Sequence, residues 1–131
     1  MGKEITKHFD DLISLARTIF IQVGFVKDMT PERSILRLRA EYGQYRIVVS
    51  ELFSDDIRKY SFYVLHEDRI EAGFDNAADI HAIRLKYGHA AKEHFGELVP
   101  HLHLKNKTEL FLTGEMTFED FTDWLRLNLK V

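Results

Sequence analysis

The stretch Leu36-Arg37-Leu38-Arg39-Ala40-Glu41-Tyr42-Gly43-Gln44-Tyr45 decides the fold. Apolar Leu36, Leu38, Ala40 and Tyr42 alternate with Arg37, Arg39 and Glu41, the period-two pattern of a strand with one buried and one wet face. Gly43-Gln44 can turn the chain back, and Tyr45 to Phe53 then reads as the partner strand. Tyr60 to His66 and Arg69 to Phe74 repeat the arrangement around Glu67-Asp68, giving a four-stranded antiparallel meander. Upstream, Ile5, Phe9, Leu12, Ile13, Ala16, Ile19, Phe20 and Val23 recur at spacings of three and four, which predicts one amphipathic helix over residues 3–23, stopped by Gly24. Downstream, Leu110-Phe111-Leu112 is a short apolar run suited to a further strand. Thr117 then caps a last helix whose apolar face is Phe118, Phe121, Leu125 and Leu129, supplemented by Trp124. The expectation is a single α+β domain over residues 1–131, a curved antiparallel sheet of four to six strands flanked by an N-terminal and a C-terminal helix.

Composition bounds the chemistry. The chain has 131 residues, of which 45% are hydrophobic and 12% aromatic, enough to bury one substantial core. It has no cysteine, which excludes disulfides, thiolate nucleophiles and cysteine-ligated zinc. Without a signal-like N-terminus or an apolar run of membrane-spanning length, the sequence reads as that of a cytoplasmic protein. A net charge of −3 argues against a general nucleic-acid coat protein. Yet residues 81–107 carry Arg84, Lys86, Lys92, Lys105 and Lys107 against only Glu93 and Glu97, a local excess of +3. No glycine-rich phosphate loop, GxSxG elbow or Rossmann fingerprint occurs, so nucleotide-dependent kinases, α/β hydrolases and dinucleotide oxidoreductases are set aside.

The basic segment is also the histidine segment. Five of the seven histidines fall between His81 and His103, and the run closes on Val99-Pro100-His101-Leu102-His103. Two residues apart on an extended chain, His101 and His103 point to the same face. In one reading His101, His103 and His81 supply a base and an acid while Arg84 and Lys86 hold a phosphate, the minimum set for metal-independent RNA cleavage. A second reading completes a metal site from the His-x-His pair with Asp75, Asp79 or His81. It ranks below the first, because no HExxH, DxDxDG or cysteine spacing accompanies it. Plainer roles stand beside both: His101 and His103 bonded to backbone on a strand, Asp75-Asn76 as a turn, and Arg37 and Arg39 as solvated charges rather than the lining of a phosphate groove. His8 and His66 read as surface residues, and Tyr60 and Tyr63 as strand aromatics unless the fold brings one beside the histidines. The segment from Asp75 to Lys107 shows little regular signal and reads as a long irregular excursion.

The order Lys59-Tyr60-Ser61-Phe62, then Arg69-Ile70-Glu71-Ala72-Gly73-Phe74-Asp75-Asn76-Ala77, then Val99-Pro100-His101-Leu102-His103 resembles the TumE family of toxin components from prokaryotic toxin–antitoxin modules. That family pairs a hairpin ending in an aromatic-Asp-Asn motif with a downstream Pro-His segment. The likeness covers about residues 33–104 and leaves the N-terminal helix outside; more than twenty residues separate Asn76 from Pro100, longer than the compact family pattern. It carries over to Asp75, Asn76, Pro100, His101 and His103. The resemblance implies a small cytoplasmic toxin neutralised by a helix-turn-helix antitoxin, with RNA as target. The combined expectation gives His101 and His103 as base and acid, His81 assisting and Asp75 orienting a histidine. Arg84, Lys86, Arg37 and Arg39 would bind phosphate, with no metal or other cofactor, no membrane partner, and a homodimer left open. The rival from another class is a non-catalytic module that binds nucleic acid or protein.

Overall fold

A computed structural model describes residues 2–131. Helix α1 (Gly2–Ile19) leads into β1 (Ile21–Met29), β2 (Arg33–Tyr42), β3 (Tyr45–Ser54), β4 (Ile57–His66) and β5 (Arg69–Asp75). Helix α2 (Ile80–Tyr87) and a 3-10 turn (Gly88–His94) precede β6 (His101–Leu104), β7 (Glu109–Leu112) and helix α3 (Phe118–Asn128). All neighbouring strands are antiparallel and lie in chain order, so the sheet is one open meander of seven strands, one more than the upper expected number. Tight two-residue turns make this possible: Gly43 takes φ +57°, and Asp55-Asp56 and Glu67-Asp68 both sit in the left-handed region that hairpin turns favour.

Alternation sorts side chains into two faces. Leu36 and Leu38 of β2, Ile47 and Val49 of β3, and Phe62 and Val64 of β4 join Phe9 and Leu12 of α1 and Phe121 and Leu125 of α3 in the main core. Thr117, expected as the cap of α3, forms a reciprocal capping box with Asp120. The opposite face is covered only at one end, where Ala82 and Ile83 of α2 pack with Ala91, Val99 and Leu110. Among the described residues no helix is long and apolar enough to cross a membrane.

Two expectations about elements need correction. The predicted helix over 3–23 stops at Ile19, and Ile21–Met29 is an edge strand paired to β2 through Phe25↔Leu38 and Val26↔Arg37. Phe20 still enters the core, so the helical stripe was real as far as it went; Gln22 at φ +54° then breaks the period, and the β-branched and aromatic residues beyond it suit a strand. The segment from Asp75 to Lys107 is not irregular, since it holds α2, the 3-10 turn and β6. Its signal was weak because α2 buries only Ala82 and Ile83, and because β6 hides histidines where a strand normally hides hydrocarbon.

Candidate active site

Two cross-strand rows organise the second face. Arg37, Ser50, Ser61, Asp75, His101 and Leu112 face one another in order from β2 to β7, and beside them run Arg39, Val48, Tyr63, Gly73, His103 and Leu110. Directly paired residues share a face. The arginines and the histidines therefore lie on the same surface, exposed at the β2 end and buried at the β6 end under α2. From Arg37 to Asp75 is three strand spacings, roughly 14 Å.

Gly73 makes the centre of this surface possible. A Cβ there would stand 2.7–2.9 Å from Cε2, Cζ and Cδ2 of Tyr63, so only a glycine lets the tyrosine ring lie across β5. From that position the Tyr63 hydroxyl donates to Asp75 Oδ2 at 2.7 Å. The Ala77 N–H donates to Asp75 Oδ1 at 2.9 Å, the turn contact expected of an aspartate after a strand. Asn76 closes the strand differently. Its side chain accepts from the Tyr60 N–H and donates to the Arg58 carbonyl, so it substitutes for a missing strand partner of β4. In the aromatic-Asp-Asn motif, then, Phe74 packs in the core, Asp75 enters the site and Asn76 secures backbone.

His101 is 1% exposed and His103 7%. His101 Nδ1 lies 2.6 Å from the Val99 carbonyl, which makes that nitrogen a donor. Its Nε2 stands 3.1 Å from Asp75 Oδ1 and 3.1 Å from His103 Nε2. Asp79 supplies a second carboxylate. Its Oδ1 caps α2 by accepting from the N–H groups of His81 and Ala82, while Oδ2 lies 3.9 Å from His101 Nε2 and 4.0 Å from His103 Nε2. His103 Nδ1 is buried with no partner among the described residues.

Electrostatics separate the three central groups. Burial pushes the Asp75 carboxyl up, but hydrogen bonds from His101, Tyr63 and the Ala77 N–H outweigh it and hold the group down at about 2. Burial likewise opposes charge on His101, yet the bonds to Asp75 and Val99 raise it above the ordinary imidazole value. His103 is lowered, first by burial and then by the charge of His101. Tyr63 is raised by burial and by donating to Asp75, so it remains a phenol.

Lys107 reaches this site from the β6–β7 turn. Lys105, Asn106 and Lys107 occupy the left-handed region in succession, at φ +49°, +56° and +67°. Such backbone is costly for residues other than glycine and is tolerated where the surroundings fix it. Here Asn106 is tied to β5, donating from its N–H to the Ile70 carbonyl and accepting from the Ile70 N–H. The result sets the Lys107 ammonium 5.4 Å from the centroid of the Tyr63 ring.

The structure brings together Asp75, His101 and His103, and it leaves His81, Arg84 and Lys86 outside. His81 lies exposed in the first turn of α2, joined to the site only through the contact of its backbone N–H with Asp79. Arg84 and Lys86 are exposed on α2, and among the described residues neither has an ion pair with the cluster; Lys86 instead rests 5.1 Å from the centroid of Tyr87. These residues lie near the histidines in sequence, but helix α2 presents them outward. His101 and His103 turn their Nε2 atoms toward each other and toward Asp75 and Asp79, and neither Nδ1 faces solvent. Tyr63, Gly73 and Lys107 were missing from the expected set. The Tyr63–Gly73 cross-strand pair was readable only once the β4–β5 register was known. His8 is half-exposed, as a surface residue would be, but it bonds buried Glu51.

Compared with protein-family models, curated proteins and solved structures, the chain matches none.

Proposed function

We propose that this chain binds RNA across the second face of its sheet and cleaves the phosphodiester backbone at the end occupied by Asp75, His101 and His103. One observation carries the reading: the cross-strand rows put Arg37 and Arg39 on the same surface as that cluster, with Tyr63 and Lys107 between them. Phosphoryl chemistry asks for cations that hold phosphate oxygens, and for proton-accepting groups beside the nucleophile. Arg37, Arg39 and Lys107 suit the first need, and Tyr63 offers a ring on which a base can stack. The buried cluster suits the second, with the partly exposed Asp79 at its edge. The order of motif residues shared with TumE-like toxins supports extending this activity to growth inhibition relieved by an antitoxin.

The test is incubation of end-labelled single-stranded RNA with the purified chain. Cleavage should be lost when His101 and His103 are replaced together by alanine with the fold intact. Replacing Arg37 and Arg39 by alanine should raise KM more than it lowers kcat, and should flatten the salt dependence of binding. RNA that is bound and left whole would make this a binding module, the rival that backbone-bonded histidines favour. RNA that is neither bound nor cut would end the proposal.

A further inference from the structure

Four groups turn possible ligand atoms toward one point beneath α2. Because His101 Nδ1 is engaged as a donor to Val99, the neutral ring carries its lone pair on Nε2, and that atom faces Asp75 Oδ1 and His103 Nε2, each at 3.1 Å. Asp75 Oδ2 lies 3.9 Å from His103 Nε2, and Asp79 Oδ2 lies 3.9 and 4.0 Å from the two Nε2 atoms. Among the described residues no arginine or lysine forms an ion pair with either aspartate. Lone pairs and carboxylates gathered in this way repel one another unless positive charge lies between them.

We propose that this is a binding site for one divalent transition-metal ion, with zinc the best fit, held by His101 Nε2, His103 Nε2, Asp75 and Asp79. Tetrahedral zinc with bonds of about 2.0–2.1 Å sets its ligand atoms about 3.3–3.4 Å apart. The separations between each histidine Nε2 and the other histidine or a nearby aspartate oxygen, from 3.1 to 4.0 Å, straddle that edge length, so small shifts of side chains would bring them to it. Mixed imidazole and carboxylate donors without sulfur suit zinc better than magnesium or calcium, which take oxygen, or copper(I), which takes thiolate. The ligands are also held from behind. Val99 orients His101, Tyr63 and Ala77 orient Asp75, and the α2 cap orients Asp79. A proton on His101 would fill the gap with one positive charge, whereas two carboxylates and a second bare nitrogen match an ion of charge +2. The inference uses the atoms that the RNA reading makes proton acceptors, but it is tested by ion binding, which can be read whether or not RNA is cut.

The full chain, purified without a histidine tag and stripped with a chelator, is titrated with Zn²⁺ by calorimetry and with Co²⁺ by visible absorbance. One ion should bind per chain, and cobalt should give the intense d–d bands of a tetrahedral site. Asp75→Asn and His103→Asn should each weaken binding by more than the roughly tenfold loss expected for Tyr63→Phe, which removes only the hydroxyl behind Asp75. Asp79→Asn keeps a capping side chain for α2 and should weaken binding too, while His89→Asn, outside the cluster, should change nothing. Zinc should raise the melting temperature of the natural chain and leave that of folded His103→Asn unmoved. Should His103→Asn fail to fold, Asp75→Asn and Tyr63→Phe decide. No saturable binding of one ion, or binding unaltered by Asp75→Asn and Tyr63→Phe, overturns the proposal. Cleavage of RNA by metal-free protein alongside a failed titration rejects the ion and keeps the RNA reading, and a normal titration with intact RNA does the reverse.

Discussion

Two buried carboxylates sit on opposite faces of the same sheet, and they are neutralised in different ways. Glu51, on the helix-covered face and fully buried, accepts from Arg58 Nη2 at 3.1 Å and from His8 Nε2. Arg58 also donates to the Met116 carbonyl at 2.8 Å and to Glu115 at 3.1 Å, fastening β4 to the segment before α3. Asp75, on the other face, has two imidazoles, a phenol and a backbone N–H around it. A guanidinium keeps its charge at every accessible pH, so the counter-charge of Glu51 is permanent and its cluster is a rivet. An imidazole can give up its proton, so the counter-charge of Asp75 can be exchanged for something else. Burial of a carboxylate does not by itself mark a site of chemistry; an exchangeable counter-charge is the better sign.

The contrast can be broken by mutation, and the largest effect is expected on the helix side. Arg58→Ala strands a buried carboxylate and should lower the unfolding free energy by about 3 kcal/mol, read by chemical denaturation. Asp75→Asn should cost less than half as much, because His101 can drop its proton and leave no orphan charge. Equal losses would erase the distinction between rivet and site.

A smaller effect tests how the open face is built. Gly73→Ala drives a methyl group into the Tyr63 ring and should cost about 1–3 kcal/mol. Because the ring must lift away, the bond from Tyr63 to Asp75 should be lost as well, and any activity at the cluster should fall together with stability. A stable Gly73→Ala protein with Tyr63 still bonded to Asp75 would contradict the packing account. Asp79→Ala removes a helix cap and should cost about 1 kcal/mol, whereas Asp79→Asn should melt close to the natural chain.

The smallest effect is the share of the pH dependence that the rivet contributes. Its bond to Glu51 raises His8 above the ordinary imidazole value against the opposing pull of burial, with Arg58 and Asp11 the other charges acting on it. The folded state therefore holds this proton more tightly than the unfolded chain. The stabilisation is complete below about 6.5, the unfolded value, and is lost as pH rises through the raised folded value. As pH is raised from the unfolded value of about 6.5, melting temperatures should fall more for the natural chain than for His8→Gln. Parallel profiles would show that Arg58 alone carries the cluster.

The sequence by itself determined the meander. Alternation over Leu36 to Tyr42 assigns each side chain to a face, and short polar turns leave the next strand only one place to go. It also placed α3, whose cap and apolar stripe are local, and it put His101 and His103 on one face because strand geometry fixes that for residues two apart. Tertiary structure alone decided the rest. The strand identity of Ile21–Met29 depends on the partner edge that β2 offers, and α2 is helical with too few buried residues to announce itself. The site needed the most from the fold: Asp75 of β5, Asp79 at the cap of α2 and the His101–His103 pair of β6 come from three elements, and Tyr63 joins them only because register sets it across Gly73. Local periodicity records which way a residue points, while the convergence of several residues on one point depends on pairings between distant strands.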